Sequence, residues 1–346
     1  MKGPGKAEDL EPLAVLHKAM EQLEAGKLAA ARTALGRLQA AAPGSAEALT
    51  LEAYLAAEED DDDERAWELA ARAGEAEPPL YEALVLCATL ALDLGEGPDQ
   101  AAAYAKRALA WARDDDDRAQ ARLAEVEALT AAGAEGRARK ALAALDALKI
   151  TDVGLLQEAG EVALELEEPR RARRLLEAAV AADPVFADAW HALGQAHDAL
   201  GEAGRRTEAW LRCRALDLAE PRPGWRLSAT AFAREAENAL ESLPGKLRAK
   251  LEGVAVLADD LPSEALVRDG VDPRLLGLFS GRSVTDLDYA SGQPVEPNVI
   301  HLFQRNLEAD CGSRTELLEQ VRITVFHETA HYLGLEEDDL EALGLD

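Results

Sequence analysis

The sequence predicts two parts of different fold class, an α-helical repeat solenoid followed by a small α+β domain. Alanine and leucine recur with a period of about 34 residues over the first two thirds of the chain. Aromatic residues make up only 4% of the 346 residues, which favours closely packed helices over a β-sandwich. Short apolar runs typical of strands are clear only in the last third of the chain.

The composition indicates a folded and strongly acidic protein. Its 37 Lys and Arg against 66 Asp and Glu give a formal net charge of −29. We therefore expect no nucleic-acid partner and no membrane partner, because both attract a basic surface. The cysteines Cys87, Cys213 and Cys311 lie far apart, and the chain shows no secretory leader and no apolar run of membrane-spanning length. These features predict a soluble, cytoplasmic protein.

Each repeat is predicted to be a pair of helices in which a small residue lets the second helix approach the first closely. These small residues are Ala31, Ala66, Ala138 and Ala172. A glycine five positions earlier marks the turn between the helices, and a proline ends several units. The glycines are Gly26, Gly133 and Gly201, and the prolines are Pro43, Pro78 and Pro184.

The best single match to a known repeat signature is Trp190, Leu193 and Gly194, which resembles the tetratricopeptide repeat. On this basis residues 11–220 resemble about six such repeats, although Arg206 stands where a small residue is usual. The resemblance implies a curved scaffold whose concave face binds a protein or peptide partner. A helical spacer with a purely structural role is the alternative.

Two acidic runs interrupt the repeats, residues 58–64 and Asp114–Asp117. Neither run has the alternating ligands, central glycine and distal glutamate of a calcium loop. Both fall where one helix is expected to end and the next to begin. We predict that they are solvated turns.

The helical pattern breaks at Pro221, and Ser228 is predicted to cap a helix over 229–242. The predicted divisions are a tail at 1–10, the repeat array at 11–220, a linker at 221–228 and the α+β domain at 229–346. The predicted strands are residues 253–257, 275–279 and 298–303. Pro297, directly before the last strand, is typical of an edge strand.

The most informative stretch is 315–334, whose apolar spacing predicts a helix containing His327, Glu328 and His331. Residues four apart share a helix face, so both imidazoles can reach one metal ion. Glu328 lies about 100° around the helix from His327, where it can hold a water on that ion without being a ligand. Zinc lowers the pKa of such a water towards ~7, and Glu328 can then accept its proton.

The third zinc ligand is predicted among the acidic residues after this helix. Gly334 follows His331 by three positions and Glu337 follows Gly334 by three, as in the metzincin pattern, where a glycine turn returns the next residue to the metal. A carboxylate is a competent zinc ligand. Glu337 is therefore favoured, Asp338 is the next candidate, and Glu341 is a more distant one.

From about Phe232 to the C-terminus the chain resembles a family of small bacterial zincin-like metallopeptidases. The matching stretches are Leu243-Pro244, 254–256, 275–281, 300–303 and the terminal HETAHYLGLEEDDLEALG. The resemblance implies a zinc peptidase in which His327, His331 and Glu337 bind the metal and Glu328 is the general base. The family's usual third ligand is aspartate, so Glu337 is a departure.

Two functional hypotheses follow from this organisation. In the first, a zinc-dependent peptidase receives protein substrates from the repeat array, and an extended peptide pairs with an edge strand at 298–303. In the second, the repeats form a protein-interaction scaffold and the zincin-like domain is catalytically inactive. The intact His-Glu-x-x-His string favours the first hypothesis.

Overall fold

The computed structural model describes residues 11–58, 62–243, 245–248, 251, 254–281 and 298–333. Its internal contacts divide the chain into two compact units, and the boundary along the sequence falls between Ala182 and Asp183. No helix in the described residues is both long enough and apolar enough to cross a bilayer.

The first unit is built from helix pairs, as the repeat pattern predicts. The helices are α1 (Pro12–Glu24), α2 (Leu28–Ala41), α3 (Ala46–Glu58), α4 (Asp63–Gly74), α5 (Tyr81–Asp93), α6 (Pro98–Trp111), α7 (Asp115–Ala131), α8 (Glu135–Ala143), α9 (Val153–Glu165) and α10 (Pro169–Ala182). Paired helices pack together, and the first helices of successive pairs also touch. This nearest-neighbour packing is that of a repeat solenoid.

The small positions predicted from the sequence lie at the helix contacts. Ala31, Ala66, Ala138 and Ala172 are all completely buried. Gly26 and Gly133 lie in turns between paired helices with φ values of 68° and 66°. Such left-handed backbone favours glycine, which has no Cβ to clash with the backbone.

The acidic run Asp114–Asp117 begins a helix instead of forming a purely solvated turn. The Asp114 carboxylate caps α7 by accepting the Asp117 N–H at 2.8 Å. Asp116 accepts the backbone N–H and hydroxyl of Thr151 at 2.7 and 2.6 Å, so this carboxylate also joins two helix pairs. Of the run at 58–64, Asp62 caps α4 by accepting the Arg65 N–H, and residues 59–61 lie outside the described residues.

The second unit starts with one more helix pair, α11 (Ala187–Ala199) and α12 (Ala203–Ala219). Gly194 packs against Trp210 so closely that a Cβ at position 194 would lie 2.0 Å from the ring. The domain boundaries predicted at 220 and 228 remain predictions. By its contacts, this last helix pair belongs to the same compact unit as the C-terminal domain.

The C-terminal domain is a small three-stranded sheet packed against helices. Its helices are α13 (Ala229–Ser242), α14 (Gly245–Arg248), α15 (Glu264–Arg268), α16 (Gln304–Ala309) and α17 (Arg314–Leu333), and its strands are β1 (Ala255–Asp259), β2 (Gly277–Ser280) and β3 (Val299–Phe303). Ser228 caps α13, as predicted. Helices α13 and α17 cover the sheet through a core that includes Phe232, Ile300, Leu302, Val321 and Val325.

The sheet order corrects the prediction that residues 298–303 form an edge strand. The order is β1-β3-β2, with β3 parallel to β1 and antiparallel to β2, so β3 is central. Pro297 lies outside the described residues and precedes the first paired residue of β3. A proline ahead of the first paired residue of a strand does not restrict that strand to an edge. Among the described strands, β1 and β2 form the edges.

Candidate metal centre

Helix α17 brings the two predicted histidine ligands together. Its residues Leu317, Val321 and Val325 recur every fourth position and are buried in the core, which fixes the rotation of the helix. His327 and His331 consequently lie side by side, with their Nε2 atoms 3.0 Å apart. His331 is exposed and His327 is half-buried, so the pair can be reached from solvent.

The neighbouring Glu328 is buried and is held by a strand. Its side chain faces β2, and its Oε2 atom accepts the backbone N–H of Phe279 at 2.7 Å. Burial raises the pKa of the Glu328 carboxyl above its usual value, while the Phe279 N–H and then His331 and His327 oppose that rise. The carboxyl group therefore combines raised basicity with a fixed orientation beside the two imidazoles.

Gly277 allows β2 to approach the helix this closely. A Cβ at position 277 would lie 2.7 Å from Thr324 Cγ2 and 3.0 Å from Glu328 Cγ. Sequence analysis did not identify this residue as part of the site. The available signal was a glycine inside a strand pattern, which often marks the close approach of another element.

A cleft of about 550 Å³ lies along β2 and α17 beside these residues. The histidines and Glu328 line it together with the apolar side chains of Leu275, Leu278 and Ile323. Ile323 precedes His327 by one helical turn, so an apolar group and a candidate metal ligand adjoin on the same helix.

Among the strands that the structure describes, none pairs with the edge of β2 opposite β3, and this open edge faces the cleft. Leu276 and Leu278 bond to β3, because Leu276 O accepts the Phe303 N–H and the pairing is antiparallel. In an antiparallel ladder alternate residues point their N–H and C=O groups the other way, so Gly277 and Phe279 present theirs at the open edge. Glu328 accepts the Phe279 N–H, so the groups that this edge offers to a further extended chain are the N–H and C=O of Gly277 and the C=O of Phe279.

The two histidines fit a zinc ion. Two nitrogen ligands of a tetrahedral zinc are about 3.3 Å apart, since each Zn–N bond is about 2.0–2.1 Å. The observed 3.0 Å between the Nε2 atoms is close to this separation. Glu337, Asp338 and Glu341 all lie outside the described residues. Within the part of the chain that is described, no group of three or more His, Cys, Asp or Glu side chains has a metal-binding arrangement.

The comparisons with known proteins address the two parts of the chain separately. Residues 251–345 match the family model described as zincin-like metallopeptidase. A search of curated proteins found no match.

Solved structures that resemble the chain include three with tetratricopeptide-type or pilus-related descriptions. PilF of Pseudomonas aeruginosa is 13% identical, over 60% of this chain and 93% of its own, with a TM-score of 0.45. PilW, described as a widely conserved type IV pilus biogenesis factor, is 17% identical over 62% and 96%, with a TM-score of 0.47. YrrB, described as a TPR protein with an unusual peptide-binding site, is 15% identical over 54% and 93%, with a TM-score of 0.37.

The helix pairs and the family match together define the organisation of the protein. The buried alanines, the turn glycines and the contacts between successive pairs are those of a helical repeat solenoid. The chain is an α-helical repeat array followed by a domain, residues 251–345, that matches the zincin-like metallopeptidase family.

Proposed function

We propose that the C-terminal domain is a zinc-dependent metallopeptidase that hydrolyses peptide bonds. The observation that carries the proposal is the buried Glu328, held by the Phe279 N–H beside the paired His327 and His331. In this proposal the two histidines hold the zinc ion and Glu337 is the third ligand. The bound zinc would supply a Lewis acid that polarises the scissile carbonyl and promotes ionisation of water.

Glu328 is proposed to be the general base. Its Oε2 atom is engaged by the Phe279 N–H, which leaves Oε1 to take a proton from the attacking water and pass it to the leaving amine. Burial favours this transfer because a carboxylate with a raised pKa is a stronger base near neutral pH. The hydrogen bond from β2 keeps the carboxylate in one orientation during both transfers.

The proposed substrate is an extended peptide that pairs with the open edge of β2. This strand replaces 298–303 as the docking edge, because 298–303 lies in the centre of the sheet. Main-chain hydrogen bonds with Gly277 and with the carbonyl oxygen of Phe279, whose N–H is already donated to Glu328, would align the peptide with the histidines. The apolar wall of Leu275, Leu278 and Ile323 favours an apolar side chain near the cleaved bond.

The repeat array is proposed to bind the protein that supplies the substrate.

The proposed location is the cytoplasm, and the cysteines support it. All three are free thiols, and Cys87 and Cys213 are buried. Burial raises the pKa of the Cys87 thiol to about 12, so this cysteine is a packing residue and not a reactive one. Buried free thiols are typical of proteins from a reducing compartment.

The second candidate function is a protein-interaction scaffold with an inactive zincin-like domain. The observation in its favour is the size of the helical array relative to the three-stranded domain. A stable protein partner together with bound zinc and no hydrolysis would support it.

The deciding experiment compares variants of the full chain that has been reconstituted with zinc. Metal content is measured by mass spectrometry, and cleavage is measured on a peptide library. The variants are Glu328→Gln, the double variant His327→Ala/His331→Ala, and the control Glu319→Gln, which changes an exposed glutamate on the same helix.

We expect Glu328→Gln to bind zinc and to cleave peptides about 10²–10⁴-fold more slowly, the typical size of a general-base contribution. The double histidine variant should lose the metal, and Glu319→Gln should match the wild type. A wild-type chain that takes up no zinc would contradict the proposal. Equal cleavage by wild type and Glu328→Gln would contradict the role of Glu328.

A further inference from the structure

The last helix pair of the array, α11 and α12, forms ion pairs with the segment 272–275 that leads into β2. The Asp272 carboxylate lies 2.9 Å from Nε2 of His191 on α11. Arg274 donates from Nε and Nη2 to both carboxylate oxygens of Asp217 on α12, at 3.0 and 2.9 Å, and its Nη1 lies 2.7 Å from Asp188 on α11. These contacts all lie within the second compact unit.

The same segment is held on another side by α16. The buried Asn306 side chain donates to the carbonyl oxygens of Pro273 and Leu275, at 2.9 and 2.7 Å. Side chains from α11, α12 and α16 therefore fix the chain over residues 272–275, directly before β2.

The ion pair between Arg274 and Asp217 is of a stronger type than a single exposed ion pair. A planar guanidinium that meets both oxygens of one carboxylate forms a bidentate, charge-assisted pair. Asp217 is 18% exposed and Arg274 is 31% exposed, so water screens the pair only in part. The pair Arg268–Glu264 on α15 is different, because its side chains are 59% and 62% exposed and belong to one helix turn. Such exposed pairs contribute little to stability.

Strand β2 in turn holds the candidate base. Strand β2 begins at Gly277, three residues after Arg274, and its Phe279 N–H donates the hydrogen bond that orients Glu328. A shift of the segment at Arg274 would move this N–H relative to Oε2 of Glu328.

We infer that Arg274 is a positioning residue for the candidate site. Helices α11 and α12 contribute to that site because their side chains bind Arg274. Asp217 and Asp188 fix Arg274, Arg274 fixes β2, and β2 fixes the Glu328 carboxylate. This chain of contacts goes beyond the proposed peptidase function and does not require it.

The test reads the Phe279 amide directly, by transverse-relaxation-optimised NMR and hydrogen exchange on the full chain without metal. An N–H that donates to a carboxylate resonates downfield, and Glu328→Gln identifies the signal by shifting it. Arg274→Gln and the nearly isosteric Asp217→Asn remove the charged pair between Arg274 and Asp217. Arg268→Gln, which removes the exposed pair with Glu264, is the matched control. Arg274→Lys keeps the charge and should restore part of the wild-type signal.

We expect Arg274→Gln and Asp217→Asn to shift the Phe279 signal upfield and to speed its exchange about tenfold, with β1 amides unchanged. Arg268→Gln should leave Phe279 as in the wild type. An unchanged Phe279 signal in folded Asp217→Asn would overturn the inference, even if Arg274→Gln failed to fold. Equal acceleration in β1 and β2 would also overturn it, because the effect would then be general loosening. Failure of the peptidase proposal would appear in the zinc and cleavage assays and would leave these signals untouched.

Discussion

Helix α9 in the array and strand β2 in the C-terminal domain each contain a glycine pressed against another element, but they use it differently. A Cβ at Gly160 would lie 2.5 Å from Leu176 Cγ, so this glycine sets the spacing of two helices. A Cβ at Gly277 would meet Thr324 and Glu328 instead. In the array the close approach serves packing, and in the C-terminal domain it brings a strand to Glu328, the proposed general base.

The same two regions also differ in a glutamate whose pKa is raised, half-buried Glu158 in the array and buried Glu328 in the C-terminal domain. Glu158 on α9 has a pKa raised to about 7 by burial and by the nearby carboxylates Glu127, Glu161 and Asp152. Glu328 has a pKa raised by burial and opposed by an N–H donor and two histidines. A raised pKa therefore does not by itself identify a catalytic base. The donor that orients the group and the adjoining cleft distinguish Glu328.

The largest expected effect is at Gly277. Gly277→Ala places a methyl group against Thr324 and Glu328 and forces β2 away from α17. We expect peptide cleavage to fall about 10²-fold, since displacements near 1 Å can cost that much. The control is Gly36→Ala, because a Cβ at that helical position meets nothing within 4 Å. Wild-type cleavage by a folded Gly277→Ala chain would show that this spacing is not required.

The corresponding change in the array is Gly160→Ala, which overpacks the contact with Leu176. Overpacking costs ~1–3 kcal/mol and the gain in helix propensity returns up to ~1 kcal/mol, so we expect a net loss of about 1–2 kcal/mol. Urea unfolding measures this loss, and Gly36→Ala should instead be neutral or stabilising. Peptide cleavage below the unfolding transition should match the wild type. A selective loss of cleavage would remove the distinction between the two glycines.

Glu158→Gln tests the difference between the two glutamates through pH. The pKa of Glu158 is about 7 in the folded protein and near 4.5 when unfolded. The folded state thus binds the extra proton, and this contribution to stability is complete below pH 4.5 and is lost as pH rises through 7. We expect Glu158→Gln to stabilise the protein by about 1 kcal/mol at pH 8 and to have little effect at pH 5. Urea unfolding at both pH values checks this, and an equal effect at each would contradict it.

The features that sequence predicted well are those set by neighbours along the chain. The helix pairs follow from small residues and turn glycines at a fixed period, and α17 at Arg314–Leu333 nearly coincides with the predicted 315–334. The pairing of His327 with His331 depends only on their spacing within one helix. The three strands were also predicted, although each begins one or two residues later than expected.

The features that sequence did not predict depend on contacts between distant segments. The central position of β3 is decided by its pairing with both β1 and β2, which the proline before it does not determine. The Phe279 N–H that orients Glu328 comes from a residue 49 positions away. The ion pair between Asp217 and Arg274 joins residues 57 positions apart, and nothing in either local sequence indicates it.

The smallest expected effect lies at a turn of the array. Glu167 has a φ of 57°, at the position where other pairs have glycine, such as Gly133 with a φ of 66°. Left-handed backbone costs a residue with a Cβ about 1–2 kcal/mol, and the greater freedom of glycine in the unfolded chain offsets part of any gain. We therefore expect Glu167→Gly to raise the unfolding free energy by about 0.5–1 kcal/mol and Gly133→Ala to lower it by about 1 kcal/mol. Urea midpoints measure both changes, and cleavage should stay at the wild-type rate in both variants. If Glu167→Gly instead changed cleavage without changing the urea midpoint, the turns of the array would act on the site, and the contrast between a packing region and the proposed catalytic region would fail.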